Sequence, residues 1–440
     1  MKKIGIIGVG YVGLVSGAGI SDFGHKVVCA DIDGKKIESL KKGQIPIYEP
    51  GLKELVDRNV KSNRLLFSSE IDKTIKDSDI IFIAVGTPEG SSGEVDLSHV
   101  FDVAVEIAKN LDKYKIVCTK STVPVGTGKK IKEIINSNKL HAVDFDYVSN
   151  PEFLREGSAV KDFLWPDRVV IGCESDVAFK SMIEVYQPLF RNKKPIIQTD
   201  ISTAEMVKYA SNAFLALKIS YINEVANLSE VLGCDIKVVA DLIGQDGRIS
   251  PKFLHPGPGY GGSCFPKDTK ALVKLAKKAN LHIKTITAAI EANVYQKERM
   301  FFKLESLLKG NVKGKTIAIL GLSFKPNTSD IRESSSIDII SNILKAGGTV
   351  KAFDPIANRS MKKIFPNIKY FSNWQKAVNN SDCVVIMTEW NEFRSLDLID
   401  LKKRLKTPLL LDTRNIYDPQ KLLELGFSFD TVGRKKNINY

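Results

Sequence analysis

Apolar residues in this chain come in short runs that end on polar loops containing glycine or proline. Lys3-Ile4-Gly5-Ile6-Ile7 reads as a buried strand, and residues 27–30 as a second strand that ends at Asp31. Further runs at 80–85, 116–119 and 147–149 lead into Gly86-Thr87-Pro88, into Lys120-Ser121-Thr122-Val123-Pro124, and into Asn150-Pro151-Glu152-Phe153-Leu154-Arg155-Glu156. The pattern then turns helical. Ser202-Thr203-Ala204-Glu205 reads as a capping box opening a helix that meets no internal Gly or Pro until Gly233. Ending at about Leu232, that helix spans on the order of 45 Å, too long for one domain to cover. Helical patterns follow at 235–243 and from 269 toward 308. Gly310-Asn311-Val312-Lys313-Gly314 then reads as a linker.

After the linker, strand-like runs return at 316–320, 350–353, 383–387 and 409–411. The runs at 80–85 and 383–387 each follow a Ser-Asp pair (Ser78-Asp79 and Ser381-Asp382), so the last third repeats the plan of the first. The expected fold is α/β: two Rossmann-like doubly wound domains joined by a helical middle domain with one long central helix. The boundaries read as 1–200, 201–309 and 314–440.

Composition changes this picture little. At 440 residues, with 43% hydrophobic and 26% charged residues, the chain has the make-up of an ordinary globular protein. The net charge of +13 suits an anionic partner, but the lysines are scattered, so phosphates on a small molecule fit as well as nucleic acid; no nucleic-acid partner is expected. Arg434-Lys435-Lys436 reads as a solvated tail. Six cysteines without a Cys-x-x-Cys pair, and five histidines without ligand spacing, point to reduced thiols and no metal. Six glycines between Gly5 and Gly19 break the apolar start as a signal helix, and no run is long enough to span a bilayer. A cytoplasmic protein without a membrane partner is expected.

Three stretches carry chemistry. Gly8-Val9-Gly10-Tyr11-Val12-Gly13 follows a strand and opens a small-residue helix, the context in which this spacing holds a pyrophosphate on helix N–H groups. Asp31, at the end of the next strand, suits the ribose hydroxyls and repels a 2′-phosphate, which favours NAD over NADP. Gly257-Pro258-Gly259-Tyr260-Gly261-Gly262-Ser263-Cys264-Phe265-Pro266-Lys267-Asp268 presents a thiol in a tight loop beside a cation, which marks Cys264 as a covalent nucleophile. Thr87, Thr122 and Glu152 sit at carboxyl ends of strands, where open parallel sheets bind ligands. Lys208 and Asn212, four apart, share a helix face. The second α/β segment has Gly321-Leu322-Ser323-Phe324-Lys325-Pro326 in place of the glycine fingerprint, so it serves another ligand; Lys325, Arg332 and Arg414 suit a diphosphate. A two-electron hydroxyacid dehydrogenase would share the NAD fold and long helix without needing Cys264, and a nucleotide sensor or nucleic-acid-binding protein would not need Cys264, Lys208 and Glu152 together.

Taken together, residues 8–13, 121–126, 150–157, 207–212, 261–268, 324–336 and 412–415 resemble the UDP-glucose/GDP-mannose dehydrogenase family over essentially the whole length. The resemblance implies two successive NAD-dependent hydride transfers that take a sugar C6 alcohol to a carboxylate. It gives Cys264 the thiohemiacetal and thioester, Glu152 the base for hydrolysis, and Lys208 and Asn212 the stabilisation of negative oxygen. Asp268 orients a water or base, and Thr122 lies beside the nicotinamide. The implied cofactor set is Gly8, Val9, Gly10, Tyr11, Val12, Gly13, Asp31, Lys36, Thr87, Thr122, Glu156, Lys267 and Arg332. The implied substrate set is Glu152, Phe153, Leu154, Arg155, Glu156, Lys208, Asn212, Arg248 (from a neighbouring subunit in some members), Phe253, Tyr260, Gly261, Lys325 and Arg414. Ser263 resembles the UDP-glucose and GDP-mannose branches, where the N-acetylhexosamine branches tend to carry His; Phe253-Leu254 and Gly259-Tyr260-Gly261 resemble the UDP-glucose pattern more than the GDP-mannose one, which stays the alternative. A homodimer or higher homo-oligomer, with the long helix at its core, is also implied.

Overall fold

A computed structural model describes residues 1–90, 93–191 and 195–435. The chain forms two compact units, Met1–Ser211 and Asn212–Tyr440. The division falls inside the long helix, so the helical middle and the second sheet belong to one unit.

The first unit is built on an eight-stranded sheet: β1 (Lys3–Ile7), β2 (Lys26–Ala30), β3 (Leu65–Ser68), β4 (Ile80–Ile83), β5 (Lys115–Thr119), β6 (Phe145–Ser149), β7 (Val169–Cys173) and β8 (Ile196–Thr199). The order is β3-β2-β1-β4-β5-β6-β7-β8, parallel except where β7 runs against β6. β4, β5 and β7 are buried at every residue. Helices cover both faces of a parallel sheet, so such strands read as continuous apolar runs. β1 lies between β2 and β4, and the crevice opens at the carboxyl ends around this reversal of strand order.

The second unit holds β9 (Thr316–Leu320), β10 (Thr349–Phe353), β11 (Lys369–Tyr370), β12 (Cys383–Ile386), β13 (Leu409–Asp412) and β14 (Ser428–Thr431). All are parallel, in the order β11-β10-β9-β12-β13-β14. Ile222 and Ala226 of the long helix, with Met300 and Leu304 of the helix Lys284–Leu307, share one core with Ile317 and Ile319 of β9.

The long helix runs Ile201–Leu232, 32 residues. Its start corrects the expected capping box. Asp200 takes the cap, accepting the Thr203 N–H at 2.8 Å and its hydroxyl at 2.5 Å. Glu205 turns instead to the N–H groups of Gly126 and Gly128, both at 2.7 Å, at the start of the helix Thr127–Asn138. Two uncapped helix donors outcompete the local box for that carboxylate. The helical material expected from 269 divides into Phe265–Lys278 and Lys284–Leu307, the first starting directly after Cys264. Arg434 is no tail residue: it is 13% exposed and pairs with Asp235 at 2.9 Å, while Lys436 lies outside the described residues.

Candidate active site

In the first unit, Gly8 takes φ +101, and a Cβ there would lie 2.8 Å from the Ala84 carbonyl oxygen. A Cβ on Gly13 would meet the Gly8 carbonyl oxygen at 1.9 Å, so only glycine lets the helix start this close to the strand. Gly10, by contrast, faces open space. The helix Tyr11–Asp22 behind it has neither a side-chain cap nor an acid in its first turn, which leaves its N–H groups for a diphosphate. Val9 donates its N–H to Asp31 at 2.8 Å, and Val12 follows in the first helical turn. Burial opposes the charge on Asp31, but the N–H groups of Val9 and Asp33 and the Lys36 ammonium at 3.2 Å outweigh it and hold the carboxyl below its usual range. These residues fit a dinucleotide with free ribose hydroxyls.

Two neighbouring strand-end loops are cross-tied: Thr87 Oγ1 donates to the Thr122 carbonyl at 3.1 Å, and Ser121 Oγ to that of Val85 at 2.7 Å. The carboxyl end of the next strand carries a deeply buried ion pair. Glu152 and Lys208, with side chains 5% and 4% exposed, form an ion pair at 3.0 Å. Glu152 also accepts the Leu154 N–H, so the 152–154 turn is closed on the carboxylate itself. Phe153 carries the Arg168 guanidinium at 3.6 Å and the Lys208 ammonium at 5.4 Å from its ring centroid. Arg155 is tied to Asp162 at 2.6 Å instead of to this cluster, and Glu156 follows it in the same loop.

Sequence reasoning passed over Lys120. It donates to Asn150 Oδ1 at 3.1 Å and Tyr186 Oη at 3.3 Å. With Glu152, Phe153 and Arg168 it lines a cavity of about 40 Å³. Burial pulls its ammonium down to about 8, against the opposing pull of Glu152. The signal was available: a lysine directly after a buried strand has no water to reach.

In the second unit, Cys264 is the N-cap of the helix Phe265–Lys278, half-buried, with Ser263 Oγ 3.6 Å from its sulfur. That position favours negative charge on sulfur through the helix dipole. Cys29, Cys118, Cys173 and Cys383 are buried instead, and burial pushes all four thiols up, Cys29 to about 12. One turn on, Asp268 is fully buried and accepts Asn212 Nδ2 at 2.6 Å on one oxygen, with Lys267 Nζ at 2.8 Å from the other. The four-residue spacing of Lys208 and Asn212 along one continuous helix is as expected.

The glycine loop before Cys264 is fastened at every turn. Gly257 donates to Asn223 at 2.8 Å and accepts from Gln296, while Asn293 holds both the N–H and the carbonyl of Tyr260. Gly262 donates to the Arg332 carbonyl at 2.8 Å, and a Cβ on Gly261 would strike the Glu333 carbonyl oxygen at 2.2 Å. Tyr260 and Phe253 both set their rings edge-on against Phe265, and Phe253 is held at φ +66, a strained backbone for a bulky residue. Asn223, Asn293 and Gln296 were missed because polar residues on helices read as solvent-facing.

The expected arginines are less gathered. Arg248 is 90% exposed and pairs with its near neighbour Asp246, and Arg332 pairs with Asp330. Arg414 donates to the carbonyls of Met387 and Phe324 and meets Glu389 at 3.1 Å. Lys325 lies 5.3 Å from the Phe324 ring centroid.

Comparison with known proteins follows the same division of labour. Residues 2–190 match the NAD binding domain of the UDP-glucose/GDP-mannose dehydrogenase family, 202–295 its central domain, and 318–419 its UDP binding domain. A UDP-glucose 6-dehydrogenase of Rhizobium meliloti is 48% identical over 435 residues, covering 98% of this chain and 99% of that protein. One from Bacillus subtilis is 47% identical, covering 99% and 94%. The solved structure of a UDP-glucose dehydrogenase from Pyrobaculum islandicum superposes with a TM-score of 0.92 at 35% identity, covering 99% of this chain and 98% of that one.

Proposed function

The chain belongs to the UDP-glucose/GDP-mannose dehydrogenase family, and from that premise we propose that it oxidises UDP-glucose at C6 to UDP-glucuronate through a covalent intermediate on Cys264. It is an NAD-dependent nucleotide-sugar dehydrogenase. The observation that carries the mechanism is the placement of Cys264: a half-buried thiol at a helix N-terminus, in a loop rigid enough to present it.

Gly8, Gly10, Gly13 and Asp31 would hold NAD, which when bound accepts one hydride in each of two oxidations. The chain's own groups do the rest. The Lys208 ammonium and Asn212 amide stabilise negative charge on the C6 oxygen, a contribution of about 3–4 kcal/mol per group in comparable sites. The Cys264 sulfur adds to the aldehyde carbon; a C–S bond forms as the carbonyl electron pair moves onto oxygen. Loss of the second hydride leaves a thioester. Water then attacks it, Glu152 takes the water's proton, and the C–S bond breaks to return the thiolate and the carboxylate product. Asp268 keeps Asn212 oriented through its 2.6 Å contact and balances Lys267. Lys325 and Arg414 are proposed contacts of the sugar nucleotide, and Arg332 of the cofactor.

We also propose a homodimer. Phe214, Tyr221 and Leu228 on the long helix are 60%, 53% and 57% exposed, and their seven-residue spacing makes one apolar stripe. Light scattering at micromolar concentration should give twice the chain mass, and a monomer would refute the dimer. No helix among the described residues is long and apolar enough to cross a membrane, and the six free thiols suit the cytoplasm.

The test of function is NADH formation on mixing protein and NAD with UDP-glucose, GDP-mannose and UDP-N-acetylhexosamines. UDP-glucose should be turned over at least tenfold more efficiently than the others. Preference for another sugar nucleotide would overturn the substrate assignment while keeping the reaction class.

A further inference from the structure

Glu49 is 7% exposed, lies in the loop between the helices Gly34–Lys41 and Leu52–Lys61, and has none of the roles given above. It nevertheless gathers donors from both ligand-facing segments of the first unit. The Tyr11 hydroxyl, from the first residue after the glycine turn, donates to Oε2. The Gly157 N–H, at the end of the 150–157 segment, donates to the same oxygen at 2.6 Å, and the Ala159 N–H to Oε1 at 2.7 Å. Gly157 N also lies 3.1 Å from the Tyr11 hydroxyl, so the three groups close a triangle. A second contact fastens the same pieces: Phe163 stacks on Phe23 at 5.7 Å, and its ring would be struck at 2.2 Å by a Cβ on Gly19. The helix behind the dinucleotide turn and the segment that ends the Glu152 loop are thereby joined at both ends of their contact.

A buried carboxylate with three donors is costly to disturb, because each donor left without it forfeits a charge-assisted hydrogen bond. A shift of Tyr11 on dinucleotide binding therefore has to move Gly157 with it. We propose that Glu49 is a positioning residue that couples the glycine turn to the 152–157 loop, so that the dinucleotide and the sugar nucleotide raise each other's affinity. This rests on the reading that the turn takes NAD and the loop meets the sugar nucleotide. The two affinities must change by the same factor.

The test is calorimetric binding of UDP-glucose to the full-length protein with and without saturating NADH, a pair that does not turn over. In the wild type NADH should tighten UDP-glucose by roughly tenfold, within the usual span of such couplings. Tyr11→Phe removes only the hydroxyl and leaves Glu49 bound to Gly157 and Ala159. It should cut the coupling to about twofold or less while the affinity for UDP-glucose alone stays within about twofold. Glu49→Gln should lose the coupling and also lower the melting temperature. If Glu49 merely caps the Ala159–Leu164 helix, Glu49→Gln would lower the melting temperature while Tyr11→Phe kept full coupling; that result overturns the proposal. So does a wild type without coupling. Failure of NADH to bind the wild type at all would instead defeat the assignment of the turn itself.

Discussion

The two sheets begin with the same move and finish it differently. At the end of β1, Gly8 has φ +101, donates to the Ala30 carbonyl at 2.7 Å, and is followed by Val9 donating to Asp31 at 2.8 Å. At the end of β9, Gly321 has φ +95, donates to the Phe353 carbonyl at 2.9 Å, and is followed by Leu322 donating to Asp354 at 2.8 Å. From there they part. In the first unit the helix starts at Tyr11 and Gly10 leaves open space in front of it. In the second the helix waits until Ser335, and the protein fills its own turn: Asp354, 1% exposed, also accepts Ser323, Ile356, Ala357 and the Trp390 indole. The lengthened loop then supplies the carbonyls of Arg332 and Glu333 against which Gly262 and Gly261 are seated. The first turn has open space beside Gly10; the second is filled by the protein's own contacts and seats the cysteine loop.

The sharpest break of this comparison is at the glycines. Gly13→Ala drives a Cβ into the Gly8 carbonyl and should weaken NAD binding by more than about a hundredfold, with UDP-glucose titration unchanged in the absence of cofactor. Equal loss for both ligands would mean that the first turn is not a dedicated cofactor site. Next in size, Asp354→Ala strands several buried donors at about 1–3 kcal/mol each and should lower the urea midpoint severely. The matching Asp31→Ala should cost little stability but reduce the preference for NAD over NADP. If Asp31→Ala proved as destabilising as Asp354→Ala in the same urea titration, the two turns would be scaffolding alike. Lys325→Ala should raise the KM for UDP-glucose severalfold while leaving that for NAD nearly fixed, and the opposite split would reverse the assignment of the two sheets.

The smallest effect is in acid. Because the Asp31 carboxyl is held below 3.8 in the folded protein, the unfolded chain takes up that proton first as pH falls. Its stabilisation is fully present above 3.8 and is lost progressively as pH falls below that through the folded-state value, so the stability difference between wild type and Asp31→Asn should shrink as urea titrations are taken further into acid. A difference that did not change with pH would show that the carboxylate is not charged where it matters.

The sequence was most legible where physics leaves one solution. A fully apolar run before Gly-x-Gly-x-x-Gly can only be a buried strand feeding a dinucleotide helix, and the long helix announces itself by lacking Gly and Pro over its whole length. The edges of the sheets were harder to read. β8 (Ile196–Thr199) is half-exposed at its ends and exposed in the middle, and so shows no apolar run. β14 (Ser428–Thr431) is wholly buried though three of its four residues are polar, and its one charged residue, Asp430, is satisfied by Lys303 at 3.0 Å. The residue types of the site were visible, but their pairings were not. Nothing local says that Glu152 meets Lys208 across 56 positions, or that Glu205 abandons its own helix for Gly126 and Gly128. Such contacts are decided by which strand ends become neighbours, and the order of strands is set by the whole sheet.

The central claim is that Cys264 holds the half-oxidised sugar covalently, and the count of NADH released per UDP-glucose tests it most directly. The wild type should release two per sugar with no free aldehyde in solution. Cys264→Ser leaves the loop glycines and their contacts untouched, so both ligands should still bind. Its hydroxyl, however, is a far poorer nucleophile than a thiolate, and an ester leaves less readily than a thioester; turnover should collapse, with any product trapped on the protein as an aldehyde adduct or ester. A Cys264→Ser protein that still released two NADH per sugar at close to the wild-type rate would contradict the covalent mechanism.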